Sequence, residues 1–312
     1  MDYQEFEKEL MSRIEEMFEN SDVEVTPHIV MKTNETIQGM EFYQEGFEAA
    51  PVIYPKDYYQ DFQGGESIDM IAARMAETAI DLINQGPELP EINDQFVRDH
   101  LRLVIMNLDR NKEYLEDTPY ETVDDIAVVP KVFIDPEISF LMNKYALENF
   151  HLTDQEALGI AHYNMEQMNY QFCTLKEAVG LGEPGPDDYK LYMLTNEYSH
   201  EGAAAIVSRK AMTMARKEIG EDFLILPCSR HEVILVPRSE EISLEALEKL
   251  VRGANENVVE PKDWLSDHVY RYRGEDHSIK MVESQQKPPA KHLDPNIIRL
   301  MMEVKILCRV RR

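Results

Sequence analysis

Two unbroken apolar runs, Phe223-Leu224-Ile225-Leu226 and Val233-Ile234-Leu235-Val236, do most to limit what this chain can fold into. A strand with one wet face alternates apolar and polar residues, so four apolar residues in a row need cover on both faces. The runs therefore predict the central strands of a sheet. The segment joining them, Pro227-Cys228-Ser229-Arg230-His231-Glu232, is entirely polar after its proline.

The flanking segments alternate between helical and extended patterns. Leu191–Leu194 and Ala203–Val207 read as strands, and a helix from about Arg209 to Ile219 stops at Gly220. Ser243 caps a helix reaching about Asn255. The resulting order, ββαββα, predicts the α+β class: helices packed on mostly antiparallel sheets. Upstream, Thr153-Asp154-Gln155-Glu156 is a capping box opening a helix to about Met168. Near the N-terminus, Tyr3, Phe6, Leu10, Ile14 and Phe18 form one stripe of a helix with Asp2 as its N-cap. Val23–Met31 and Thr36–Phe42 form a β-hairpin, Ala50–Tyr54 is extended, and a helix through Ile68 and Ile83 ends at Gly86-Pro87. Residues 94–116 read as helix, and Asp125–Ile134 as a strand that Pro130 assigns to a sheet edge or bulge. Three regions result: an N-terminal α+β half with the hairpin (1–135), a C-terminal half (136–282), and a basic linker and tail (283–312).

Charge narrows the function classes. The 312 residues hold 32 Lys/Arg against 59 Asp/Glu, a net −27 that repels phosphate backbones and argues against nucleic-acid binding. Residues 285–312 carry seven Lys/Arg against Asp294 and Glu303, a balance of +5 that leaves −32 on the rest. A body so acidic also admits an acidic nucleic-acid mimic as an alternative. No stretch approaches the roughly 18 apolar residues of a membrane helix. The acidic start Met1-Asp2-Tyr3-Gln4-Glu5 lacks the basic-then-apolar pattern of a secretory leader. Cys173, Cys228 and Cys308 are scattered, without a CxxC pair. Together these predict a cytoplasmic chain with no membrane partner.

Several blocks are distinctive: Leu191-Tyr192-Met193-Leu194-Thr195-Asn196, Gly202-Ala203-Ala204, Ile225-Leu226-Pro227-Cys228-Ser229-Arg230-His231-Glu232, and Leu265-Ser266-Asp267-His268-Val269-Tyr270. With Pro51-Val52-Ile53-Tyr54, Asn107 and Asn111, Pro119, and Asp125-Ile126-Ala127, they resemble a family of unknown function found in gut-dwelling anaerobic bacteria. The likeness covers roughly residues 1–275 and implies no activity. The family pattern places a serine where this chain has Cys228, which weakens any reading of that thiol as a required nucleophile.

The candidate site is Cys228-Ser229-Arg230-His231-Glu232. As an enzyme, it would be a hydrolase with Ser229 or Cys228 as nucleophile, His231 as base, and Asp267 or Glu232 orienting the ring. As structure, Ser229 and His231 satisfy backbone groups at a turn set by Pro227, and Glu232 pairs with Arg230 or a helix end. Asn196, Glu232, Asn255, Ser266 and Tyr270 are candidate binding residues. No His-Glu-x-x-His, calcium loop or phosphate-binding glycine loop occurs, so neither metal nor cofactor is expected. The reading favoured is a non-catalytic binding or regulatory protein with a protein or small-molecule partner. Ile297–Leu307 in the tail reads either as a short docking helix or as an unstructured end.

Overall fold

A computed structural model describes residues 1–47, 50–86, 90–135, 138–185, 190–227, 229–238 and 243–282. Cys228 and the basic tail, singled out from sequence, lie outside them. The class is α+β, with helices against antiparallel sheets. Two compact units divide the chain, Met1–Pro90 and the residues from Glu91 onward.

In the first unit, α1 (Tyr3–Phe18) starts on a complete capping box between Asp2 and Glu5 and buries Phe6, Leu10, Met11, Ile14 and Phe18. β1 (Val23–Lys32) and β2 (Glu35–Gln44) form the hairpin, with Asn34 in the left-handed region at the turn. β3 (Val52–Ile53) pairs with β2. After the short α2 (Tyr59–Gln63), α3 (Ile68–Gln85), capped by Ser67, packs Ile71, Met75 and Ala79 into the same core as α1, Met40 and Phe42.

The second unit opens with α4 (Asp94–His100) and β4 (Leu101–Asn107). The single helix expected over 94–116 is thus a two-turn helix followed by a strand. Leu101 and Leu103 to Met106 are buried on both faces, and an apolar run of that length does not by itself distinguish helix from strand. β5 (Glu121–Val123), β6 (Ile126–Phe133) and β7 (Ser139–Leu141) complete a four-stranded sheet in which β6 is central, so Pro130 is at neither an edge nor a bulge. Its carbonyl accepts from Met142 N (3.1 Å) on the side where β5 ends and β7 begins. N–H and C=O of one strand residue point the same way, so the proline's missing donor falls in the gap between those partners.

α5 (Lys144–Asn149) and the capping-box helix α6 (Asp154–Gln167) come next. β8 (Tyr170–Thr174), α7 (Leu175–Ala178), β9 (Tyr192–Asn196), α8 (Arg209–Ile219), β10 (Asp222–Leu226), β11 (Val233–Pro237), α9 (Leu244–Asn257), β12 (Val269–Arg273) and β13 (Ser278–Val282) build a six-stranded antiparallel sheet in the order β13-β12-β10-β11-β9-β8. β10 and β11 occupy its centre. Phe223, Ile225, Val233 and Leu235 face the core shared with α6 and α8, whereas Leu226, Ile234 and Val236 face α9. That two-sided cover is why both runs are apolar throughout. β8 pairs with β9 across the short α7. The expected strand at Ala203–Val207 is instead a 3-10 helix, Gly202–Val207. Its small side chains let the backbone pack tightly against β4 of one sheet and β9 and β11 of the other. Residues 91–135, grouped from sequence with the N-terminal half, put Val97, Leu101, Leu103 and Ile105 into one core with Leu194 and Ile225.

Candidate functional site

β9 ends at Asn196, whose side chain organises the loop beyond the strand. Asn196 Oδ1 accepts from Tyr198 N (3.0 Å) and His200 N (3.4 Å), while Nδ2 donates to His200 O (2.7 Å). This tight loop carries Ser199 and Glu201 at positive φ and delivers Glu201 into the protein. The loop from β10 to β11 meets it from the other side, with Arg230 O accepting from Ala203 N and His231 O accepting from Thr195 Oγ1 (2.7 Å).

Glu201 is 4% exposed, and a buried carboxylate needs partners to remain ionised. Arg230 Nη1 donates to it at 2.7 Å and Lys131 Nζ at 3.4 Å. Burial raises the Glu201 pKa, but the two cations and the neighbouring imidazoles outweigh that and hold it below the ordinary range. Arg230 Nε also donates to Asp263 Oδ1 (3.1 Å). Burial opposes ionisation of Asp263 as well, yet hydrogen bonds from His231 and Arg230 bring its pKa down to about 2. Burial pushes the adjacent His200 down, against the pull of Glu201.

His231 is committed at both nitrogens. Glu201 N–H donates to Nδ1 (3.2 Å), so Nδ1 is an acceptor and the ring proton lies on Nε2, directed at Asp263 Oδ1 at 3.1 Å. The Ser229 hydroxyl donates to Glu232 Oε1 (2.7 Å) and accepts from His231 N–H (3.0 Å). Ser229 and His231 are therefore joined through backbone, and among the described residues no bond links the hydroxyl to the ring. A cleft of about 510 Å³ opens over this cluster, with Val258, Val259, Glu260 and Lys262 on its far wall.

A family model matches residues 3–274. The chain belongs to DUF5688, a family of unknown function. No curated protein and no solved structure matches the chain. The DUF5688 match coincides closely with the span over which the sequence blocks resemble such a family, and it includes every residue of the cluster.

The blocks of this DUF5688 chain separate into two groups. Ser229, His231 and Glu232 line the cleft, and Asn196 holds the loop that brings Ser199 and His200 to it. Asp267 is not the ring's partner, because it accepts from Asn255 Nδ2 (2.7 Å) and Trp264 Nε1 (3.1 Å). Ser266 and Tyr270 both bond Asp125, whose carbonyl accepts from Asn107 Nδ2. Burial, then the bond to Asp125, raises the Tyr270 hydroxyl pKa well above its usual value. Asn255, Ser266, Asp267 and Tyr270 thus tie α9 and β12 to the start of β6 rather than lining the cleft.

Sequence reasoning did not single out Lys131, Glu201, His200 or Asp263. Lys131 had a visible signal: a lone cation inside the apolar run of β6 requires a buried anion. The other three stand in ordinary polar loops. Among the described residues no three His, Cys, Asp or Glu side chains gather as metal ligands would, and no helix is long and apolar enough to cross a membrane.

Proposed function

We propose that this chain is a non-catalytic binding protein whose polar cleft beside His231 takes a small polar molecule. The observation that carries this reading is the commitment of the Ser229 hydroxyl and of both His231 ring nitrogens. A Ser229–His231 nucleophile requires the hydroxyl on an imidazole nitrogen. Here one ring nitrogen accepts from Glu201 N–H, the other faces Asp263, and the Ser229 hydroxyl donates to Glu232. A network fixed before any ligand arrives suits recognition, since binding then orders few side chains. The cleft offers cationic Arg230 and Lys262 beside anionic Glu232, Glu260 and Asp263, a mixed lining that fits a ligand carrying both donors and acceptors.

The test pairs a ligand screen with a reactivity probe. In a thermal-shift screen of amino acids, sugar phosphates and nucleotides, at least one class raises the melting temperature, and Lys262→Ala reduces that shift. A fluorophosphonate probe leaves Ser229 unlabelled. Labelling that Ser229→Ala abolishes would replace this reading with the hydrolase one.

A further inference from the structure

A second cavity, of about 180 Å³, lies beside the cleft and shares His200 with it. Leu103, Phe133, Met165 and Met168 give it an apolar wall, and Arg102 and Tyr198 lie at the same lining. The Arg102 guanidinium carbon stands 5.4 Å from the Phe133 ring centroid and 4.7 Å from that of Tyr198. Stacking between two rings satisfies the charge through the ring faces and leaves the in-plane N–H donors unused. Arg230, Arg238 and Arg271 each find a carboxylate. The Arg102 guanidinium, in a chain with a large excess of acids, makes neither an ion pair nor a hydrogen bond among the described residues.

We propose that this cavity binds a small monocarboxylate with a compact apolar body. The carboxylate takes the free edge of Arg102 in a two-bond fork, and the body lies against Leu103, Phe133 and the two methionines. An apolar cavity of roughly 150 Å³ holds benzene, so a body of about six carbons fits this volume. The methionines adapt to a flat or a branched body because their side chains are unbranched and flexible. Glu201, on the same lining, does not oppose an anion, since Arg230 and Lys131 match its charge. Asp135, also on the lining, accepts from Ile138 N (2.6 Å).

Calorimetric titration of the full chain with benzoate, isovalerate and benzamide tests the proposal. Both carboxylates bind saturably, and benzamide, which keeps the ring without the charge, binds about tenfold or more weakly. Arg102→Gln weakens benzoate by a similar factor, while Lys262→Ala, which alters only the neighbouring cleft, leaves benzoate affinity unchanged. If Arg102→Gln does not melt cooperatively, the benzoate-to-benzamide ratio on the unaltered protein decides alone. No saturable binding of either carboxylate, equal affinity for benzoate and benzamide, a folded Arg102→Gln that binds benzoate normally, or weakened benzoate binding in Lys262→Ala would each overturn the assignment.

Discussion

Through one ring His231 ties the loop after β9 to the 3-10 helix Pro261–Asp263, so its replacement has a definite cost. His231→Ala leaves Glu201 N–H without its acceptor and removes a donor from Asp263. An unpaired buried polar group costs about 1–3 kcal/mol, and calorimetric unfolding should show that loss as a lower melting temperature. A variant melting at or above the parent would mean the ring is held for function at the expense of stability. Asp263 adds a pH dependence of known sign. Its pKa is lowered on folding from 3.8 to about 2, so its contribution is complete above about 3.8 and is lost as pH falls toward 2. Glu201 acts in the same direction. Asp263→Asn should therefore be less stable at neutral pH and lose less on acidification, as measured by urea unfolding across that window. The polar turn was visible from sequence, but the choice of Asp263 over Asp267 was not, because adjacent-block position does not encode which carboxylate the 3-10 helix Pro261–Asp263 turns toward the ring.

At the scale of elements, the segments legible from sequence were those whose periodicity and caps agree. α1, α3, α6 and α9 each combine an apolar stripe with an Asp, Ser or Thr cap, and β10 and β11 lack any competing helical pattern. The misread segments, β4 and Gly202–Val207, are short and buried all round, so tertiary packing rather than local pattern decides their form. Two glycines separate these influences. A Cβ on Gly202 would collide with Thr195 Oγ1 and come within 2.6 Å of His231 O, so Gly202→Ala must push apart β9 and the site loop. Gly159, inside α6, has nothing within 4 Å of the equivalent point. Gly159→Ala should stabilise the protein by about 0.5–1 kcal/mol through helix propensity, whereas Gly202→Ala should lower the melting temperature. Equal effects of the two substitutions in parallel melts would remove close packing at Gly202 as the explanation of the 3-10 helix.

For the whole molecule, charge is the property that no local element determines. With −27 overall and −32 outside residues 285–312, like charges repel across the folded body, and folding brings them closer than in an extended chain. The Debye length shrinks from about 30 Å at 0.01 M salt to about 3 Å at 1 M, so added salt screens that repulsion. The melting temperature should rise with sodium chloride across that range. The family match ends at residue 274, so deleting residues 285–312 leaves the matched span whole and removes only a balance of +5. The truncated chain should still unfold cooperatively, melt below the full chain at 0.01 M salt, and climb more steeply as salt is added, because its net charge is larger. Salt bridges such as Arg230–Glu201 work against this trend only weakly, since buried pairs are poorly screened. A melting temperature that falls with salt in both chains would mean that attraction between surface charges outweighs net repulsion, and that the excess of acids is arranged in opposition to basic neighbours rather than spread over the body.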